Sequence, residues 1–465
     1  MAVQPVQIFV DSVLYFVHLK EKRRRGKHER KKGRSVFRVT LVLMKLQSIL
    51  FYRDSFLHSN ISNRNSIKAE VQLADPIDPV LFEDAVKTTM KRYPYYCVTL
   101  GSENGEYFFT ENNRPVVILN SLASVTFNTE ETNMHFVSFG YQDDWIAVNI
   151  FHGLTDGAGV YELLRTLLYY YCGARYGIAE DPGNVRLYGQ PVSEEELYDP
   201  YADLPIKPLR PKPLPGPAVD IMQAIPEADR TPTAFHISVP ERLFVEFCVK
   251  QDSTPGTMVC LLLCRIIQKL FPDAPEDIRF LLCTNDRKTL NAPKSCLNLV
   301  GTLPLDLKRE MRGWTLTRQA TVFRGMVFAE QYETNALNRA IAMKQLCETI
   351  RSLPDDHSRA EFAQNAIRGI AHSACGMVSY VGKSSFPNAD PYIRDFRSLT
   401  GGSAALGVQI AVAAGFFKFD LIQSFRDDRY VRAFQEELRS YGIPSELVDT
   451  AAVDVSKAAF PWLTE

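Results

Sequence analysis

The stretch from Trp145 to Tyr171, WIAVNIFHGLTDGAGVYELLRTLLYYY, decides how the rest of the chain is interpreted. IAVNIF predicts a strand, the polar turn after it holds His152, Asp156 and Gly157, and the apolar periodicity from Val160 predicts a helix. Titratable and flexible residues therefore stand where a strand passes into a helix. Such a junction holds a reactive side chain between two rigid elements, so this turn is the candidate for chemistry.

Length and composition set broad limits on the class of protein. The chain has 465 residues, 46% hydrophobic and 23% charged, which is typical of a globular protein. Its length predicts two or three units, each large enough to bury a core. The net charge of −1 gives no overall attraction to nucleic acid. A nucleic-acid partner is therefore not expected. No apolar run reaches the length of about 18 residues that spans a bilayer, so no membrane span is expected either.

Residues 1–43 differ in charge from the rest of the chain. They hold 11 Lys and Arg against 3 Asp and Glu, a local charge of +8 that leaves −9 on the remainder. The basic block KEKRRRGKHERKKGRSVFR predicts a solvated, disordered extension. Two other interpretations stay open: a nucleic-acid-binding or targeting arm, or an upstream segment that is not part of the native protein, with Met44 as the start.

The nine cysteines have no CxxC spacing, which argues against zinc ribbons and thioredoxin-like motifs. Cys260 and Cys264 share one face of a predicted helix, but no histidine or second cysteine pair accompanies them. Most cysteines lie in apolar runs such as VCLLLC. They are expected to be reduced core thiols of a cytoplasmic protein, and no metal site is predicted.

Strand and helix patterns alternate along the chain and divide it into two lobes. IKAEVQL predicts a strand, and DPIDPVLFEDAVKTTMKRYP predicts a helix that Asp78 caps, Pro79 begins and Pro94 ends. DPYADLPIKPLRPKPLPGP carries seven prolines and predicts an extended, stiff connection. The predicted division is a basic extension (1–43), an N-terminal lobe (44–199), a proline-rich connection (200–231) and a C-terminal lobe (232–465).

The turn contains the pattern His152-x-x-x-Asp156-Gly157. With 8 histidines in the chain, such a match is expected far less than once by chance. The strand before it and the helix after it make the match more specific. The alternative is a core histidine in an ordinary turn.

HGLTDG in this setting resembles the HxxxDG motif of the chloramphenicol acetyltransferase-like superfamily. That superfamily includes condensation domains of nonribosomal peptide synthesis, plant acyltransferases and bacterial alcohol acetyltransferases. The resemblance spans most of residues 50–445: the Asp78 helix is similar to the family's early helix, NDRKTLNAPKSCLNLVGTLPL to its R…N…G segment, and GMVSYVG to a late strand beside the tunnel. It implies an α/β fold of two lobes, each with a mixed β-sheet and flanking helices, with an active-site tunnel between them.

Two departures narrow the resemblance. Condensation domains usually carry HHxxxDG, whereas Phe151 stands at the first of these positions here, which favours a simpler acyltransferase. The DFGWG motif of the plant enzymes is absent, which disfavours that branch.

The resemblance implies that His152 is a general base that takes the proton of an acceptor hydroxyl or amine as it attacks an acyl thioester. Neutral imidazole, with an ordinary pKa of about 6.5, is available for this role at cytosolic pH. Acyl-CoA would be a co-substrate rather than a bound cofactor.

The resemblance also implies supporting roles for residues around the base. Asp156 would be structural and paired with an arginine, for which Arg287 is the candidate. Gly157 would leave room beside the base. Ser379 or Tyr380, on the late strand, would donate a hydrogen bond to the thioester oxyanion.

Other catalytic patterns are missing. There is no GxSxG elbow of a serine hydrolase. GMVSYVGKSS differs from a phosphate-binding loop because five residues, not four, separate its glycines.

The sequence thus predicts transfer of an acetyl or other short acyl group from acyl-CoA to an alcohol. Three alternatives stay open: a stand-alone condensation-type enzyme with a donor bound to an acyl carrier protein, an N-acyltransferase with an amine acceptor, and a non-catalytic binding protein that keeps the fold.

Overall fold

The computed structural model describes residues 66–103, 106–205, 216–355, 358, 359, 361, 362, 365, 366, 369, 372–401 and 404–458. The predicted basic extension, the start of the N-terminal lobe and the centre of the proline-rich connection lie outside these residues.

The described strands and helices are numbered in chain order. The strands are β1 (Ser66–Leu73), β2 (Val98–Glu103), β3 (Glu106–Glu111), β4 (Val117–Leu119), β5 (Thr126–Phe127), β6 (Val137–Gln142), β7 (Trp145–Phe151), β8 (Thr233–Pro240), β9 (Ile278–Asn285), β10 (Val300–Leu307), β11 (Gly376–Tyr380), β12 (Ile393–Thr400), β13 (Leu406–Ala413), β14 (Phe416–Gln423), β15 (Glu446–Ala452) and β16 (Lys457–Ala458). The α-helices are α1 (Pro79–Arg92), α2 (Gly157–Tyr176), α3 (Pro200–Asp203), α4 (Glu241–Lys250), α5 (Pro255–Leu270), α6 (Leu316–Gln331), α7 (Glu333–Ser352) and α8 (Arg429–Ser440).

Two large mixed sheets organise the chain, as the sequence predicted. The N-terminal sheet has the order β12-β1-β7-β6-β4, with β4 parallel to β6 and the other pairs antiparallel. The C-terminal sheet has the order β10-β9-β11-β13-β14-β8-β15, with β11 parallel to both neighbours. Strands β2 and β3 form a separate hairpin, and β5 pairs with β16.

Each sheet buries one face beneath helices. In the N-terminal lobe, apolar residues of α1 and α2 pack with those of β1, β6 and β7 in one core. In the C-terminal lobe, α5 is buried along most of its length, as its nearly continuous apolar sequence predicted, and packs between the sheet and the helices α4, α6 and α8.

Strand β12 crosses from the C-terminal part of the chain to the N-terminal sheet. It follows β11 of the C-terminal sheet in sequence, yet it pairs with β1 of the N-terminal sheet. Its sequence IRDFRSLT was not predicted to be a strand because charged residues interrupt it. Those charges are compensated: Asp395 pairs with Lys418 at 2.8 Å and Arg397 with Asp449 at 2.9 Å.

The sequence predicted an extended proline-rich connection, but the connection begins with a short helix. Pro200 begins the one-turn helix α3, where a missing N–H costs nothing because the first helical N–H groups have no intrahelical acceptor. The Asp199 carboxylate caps this turn by accepting from the amide of Tyr201 at 3.0 Å.

No helix among the described residues combines the length and the apolar character needed to cross a bilayer.

We predict that Asp78→Ala lowers the free energy of unfolding by about 1 kcal/mol, the usual cost of losing an N-cap. The Asp78 carboxylate accepts from the amides of Val80 (3.0 Å) and Leu81 (3.1 Å) at the start of α1. Urea unfolding measures the loss. Asp84→Ala, at an exposed position on the same helix, is the control; an equal loss in both variants would contradict the capping role.

Candidate active site

His152 lies directly after β7, in the turn that leads into α2. The strand is buried from Ile146 to Phe151, so the position of the histidine backbone is fixed by the sheet. Asp156 ends the turn as the N-cap of α2, and its Oδ1 accepts from the amides of Ala158 (3.1 Å) and Gly159 (3.2 Å). The turn is therefore held rigidly at both ends.

Asp156 also forms a buried ion pair with Arg287 of the other lobe. Arg287 Nη1 donates to Asp156 Oδ2 at 2.8 Å and Nη2 donates to Oδ1 at 2.9 Å, a bidentate arrangement. The Leu299 amide donates to Oδ2 at 2.9 Å. The guanidinium further donates to the carbonyls of Ser295 and Leu297, both at 2.8 Å. The carboxylate thus fixes the 287–299 loop to α2.

The charge of Arg287 is retained despite its burial. Burial alone would lower the pKa of this guanidinium, but the adjacent Asp156 carboxylate raises it overall. Both partners are less than 10% exposed. Removing one of them would leave the other charge buried and uncompensated.

Asn298 is a site residue that was not singled out from the sequence, although it lies in the NDRKTLNAPKSCLNLVGTLPL segment. Its Nδ2 donates to the His152 carbonyl at 3.1 Å and lies 3.0 Å from His152 Nδ1. Its Oδ1 accepts from the Val300 amide at 3.3 Å, which sets the orientation of the amide group. The R…N…G spacing was a signal for this residue, but only the fold brings it to the histidine.

The surroundings of His152 favour a neutral imidazole. Burial lowers the pKa of His152 below 6.5, although hydrogen bonds to its own carbonyl and to that of Thr155 and the charge of Asp156 oppose this effect. A neutral imidazole carries a proton on one ring nitrogen and a lone pair on the other, so it can accept one proton.

Gly159 is packed more tightly than Gly157. A Cβ on Gly157 would lie 2.9 Å from the Val381 side chain, so the absence of a side chain there leaves room for Val381. A Cβ on Gly159 would lie 1.9 Å from the Thr155 hydroxyl, which donates to the Cys296 carbonyl at 2.7 Å. This glycine lets α2 approach the 287–299 loop.

The two candidate oxyanion donors face different ways. Ser379 lines the cavity that holds His152, and its hydroxyl hydrogen-bonds the thiol of Cys283, whose pKa burial raises to about 12. Tyr380 does not line the cavity but packs against Phe417 in the C-terminal core, with ring centroids 6.0 Å apart. Alternate residues of a strand point to opposite faces, so the cavity geometry favours Ser379 over Tyr380.

A cavity of about 320 Å³ connects His152 with residues of both lobes. It lies between the inner face of the C-terminal sheet and the elements β1, β12 and α2. The polar lining consists of neutral hydroxyl and amide side chains in addition to His152 and the paired Asp156: Asn298, Thr302, Ser379, Ser398, Thr400, Gln409, Gln423 and Ser424. The described residues contain no cluster of three or more His, Cys, Asp or Glu side chains placed to hold a metal ion.

We predict that Asp156→Asn lowers the free energy of unfolding by about 3 kcal/mol, since it leaves the Arg287 guanidinium buried without its counter-charge. An asparagine keeps the shape and the capping oxygen, but its NH2 group replaces Oδ2, which accepts from Arg287 and from the Leu299 amide, so the loss includes these hydrogen bonds as well as the charge. Urea unfolding measures it.

The control for this prediction is Asp229→Asn. Asp229 pairs with Arg426, whose side chain is 62% exposed, and the loss there should stay below about 1 kcal/mol. If Asp156→Asn abolished turnover with unchanged stability, Asp156 would act in the chemistry and not as scaffold.

Comparisons with known proteins establish the fold. No family model and no curated protein matches the chain. Among solved structures, polyketide synthase associated protein 5 from Mycobacterium tuberculosis is 13% identical, with 84% of this chain and 96% of that chain covered and a TM-score of 0.54. F. sporotrichioides TRI101 complexed with coenzyme A and T-2 is 12% identical, with 87% and 98% covered and a TM-score of 0.52. VibH, a nonribosomal peptide synthetase condensation enzyme, is 12% identical, with 85% and 96% covered and a TM-score of 0.51.

These similarities extend over nearly the whole length of each neighbour. They confirm the fold that the HGLTDG segment predicted. The chain therefore has the two-lobed α/β fold of these solved structures, as the resemblance implied.

Proposed function

We propose that the protein is an acyltransferase that moves an acetyl or short acyl group from acyl-CoA to an alcohol, with His152 as the general base. The observation that carries the proposal is a partly buried His152 imidazole, with a lowered pKa, that lines a cavity between the two lobes. A base of this kind must be unprotonated at working pH and within reach of the acceptor proton.

The chemistry follows from the position of the base. The acceptor hydroxyl loses its proton to the unprotonated ring nitrogen of His152 as its oxygen attacks the thioester carbonyl, and a tetrahedral oxyanion forms. When this intermediate collapses, the carbon–sulfur bond breaks and the thiolate takes the proton from the imidazolium. The ester and the free thiol leave, and His152 is neutral again.

Neighbouring groups support each stage of this sequence. Asn298 and the Asp156–Arg287 pair hold the histidine turn in place. The Ser379 hydroxyl, on the cavity wall, is our candidate donor to the oxyanion, a contact typically worth about 10²–10³ in rate. The TRI101 neighbour was crystallised with coenzyme A, which supports coenzyme A as the carrier of the acyl group here.

A condensation-type reaction, with the acyl donor bound to a carrier protein, is the second candidate. The VibH neighbour, a condensation enzyme, favours it. Phe151 favours the first, because condensation domains usually have histidine there. The first test is to mix the protein with acetyl-CoA and a panel of alcohols and amines and to follow thiol release. Turnover only with a loaded carrier protein, or only with amines, would replace the donor or the acceptor in the proposal.

We predict that His152→Ala lowers kcat by about 10²–10⁴-fold while the melting temperature stays close to that of the wild type, because the side chain borders a cavity. Stopped assays of thiol release measure kcat. The control is His135→Ala: His135 is buried in the N-terminal lobe, where Nε2 lies 2.7 Å from the Arg114 carbonyl, and is not a cavity residue. Unchanged turnover in His152→Ala would remove the base and favour a non-catalytic binding protein.

We also predict that kcat/KM rises with pH along a limb whose midpoint lies below 6.5. The base must be neutral, and burial lowers the pKa of His152 from 6.5, so the active form is complete at neutral pH. Acid inactivates by protonating the imidazole. Initial rates at low substrate concentration give the profile; a midpoint above 6.5, or the same limb in His152→Ala, would contradict the assignment.

A further inference from the structure

A row of side chains crosses the C-terminal sheet along the cavity. Thr302 of β10 is opposite Cys283 of β9, and Ser379 of β11 is opposite Gln409 of β13. Ser379 also hydrogen-bonds Cys283, which joins the two pairs. Residues in register on adjacent strands share a face of the sheet, and all four line the cavity. One wall of the cavity is therefore a polar, uncharged track.

The opposite wall combines apolar side chains with neutral hydroxyl groups. Ile67 and Ala69 of β1 and Val160 of α2 are apolar, whereas Tyr161 of α2 and Ser398 and Thr400 of β12 carry hydroxyl groups. Among the described residues that line the cavity there is no lysine, arginine or glutamate. His152 is neutral, and Asp156 is neutralised by Arg287. A charged ligand in this space would lose its hydration without gaining a counter-charge, which is strongly unfavourable.

Gln409 is the polar residue on the track with a specific hydrogen-bonding arrangement. Its Nε2 lies 2.8 Å from Thr400 Oγ1 of the crossover strand β12, which anchors one end of the amide. Its other end makes no hydrogen bond to the described residues, and the side chain is half-buried at the cavity. Because a hydroxyl can donate or accept, the Thr400 contact permits either orientation of the amide, and either orientation presents a polar atom that suits a ligand hydroxyl.

Gln409 is also well separated from the edge of the sheet where Asn298 holds His152. Three strand spacings lie between β10 and β13, which is about 14 Å across the sheet at about 4.8 Å per strand. From this strand spacing we expect a hydroxyl that contacts Gln409 to differ from the hydroxyl that reacts beside His152.

We propose that the acceptor is an uncharged, largely apolar molecule with at least two hydroxyl groups, and that Gln409 recognises the hydroxyl that is not acylated. The role of this molecule as acyl acceptor rests on the proposed function. Its binding site is inferred from the cavity alone. When an analogue without the distal hydroxyl binds, one end of the Gln409 amide has no hydrogen-bond partner. The site therefore discriminates against that analogue.

Binding is tested without an acyl donor, by calorimetry on the wild type. The probes are straight-chain terminal diols of graded length, the monoalcohols of the same length and the matching ω-hydroxycarboxylates. At the best length we expect the diol to bind about tenfold more tightly than the monoalcohol, the ratio of one added hydrogen bond. The hydroxycarboxylate should bind most weakly. Equal affinity of diol and monoalcohol, strongest binding of the carboxylate, or no binding of any probe would overturn the inference.

Gln409→Met tests the residue. This variant should reduce the diol-to-monoalcohol ratio to about one and leave monoalcohol affinity unchanged. The matched control is Gln319→Met: Gln319 is equally an amide, but both its ends are paired inside the protein, with Met311 and Arg265. That variant should lose stability and keep the ratio.

If Gln409→Met does not fold, Thr400→Val removes the anchor of the amide and should reduce the ratio at least threefold. A tenfold ratio that persists in the Gln409 or Thr400 variant would overturn the assignment.

Turnover separates this inference from the proposed function. With an acceptor diol and acetyl-CoA, Gln409→Met should raise the KM of the diol about tenfold and leave the KM of acetyl-CoA unchanged. A rise confined to acetyl-CoA would place Gln409 in the donor site and overturn the inference. If the diol binds with the expected ratio but no thiol is released, the proposed acyl transfer is contradicted and the assignment of Gln409 to diol binding is not.

Discussion

The bidentate ion pair between Asp156 and Arg287 is the interaction on which the geometry of the site depends. It joins the first turn of α2, in one lobe, to the 287–299 loop of the other. That loop carries Asn298, which contacts the backbone and the ring of His152. A single buried salt bridge therefore sets the relative positions of the base, its amide partner and the wall of the cavity. Its contribution is positional: a buried pair adds little net stability over an apolar one, but it tolerates only one geometry.

Several features followed from sequence because they are local. The strand–turn–helix around His152, the capped start of α1 and the buried helix α5 each depend on residues within about one turn or strand of each other. The resemblance to HxxxDG proteins added Arg287, which no local pattern indicates. Ser379 and Tyr380 could not be separated from the sequence, because strand alternation lets only one of two adjacent residues face the cavity and the sequence alone did not tell which. Asn298 and Gln409 are identified only by what the folded chain places beside them.

The character of the cavity also could not be read from the composition. The chain outside residues 1–43 carries a net charge of −9, yet the described residues around His152 form a space without a free charge. The fold achieves this by directing hydroxyl and amide side chains of β10, β11, β12 and β13 inward. A low-dielectric space strengthens the few hydrogen bonds it contains, and it keeps the imidazole of His152 in its neutral form.

Because β12 belongs to the N-terminal sheet, that sheet cannot be completed until the chain has been translated as far as β12. The N-terminal sheet needs this strand along the edge of β1, but the chain reaches Thr400 only after most of the C-terminal lobe has been translated. Until then β1 presents an unpaired strand edge, the kind of surface on which other chains pair and aggregate. The two lobes are consequently a single unit of biogenesis, and a fragment that ended in the connection between them would lack a strand of its own first sheet.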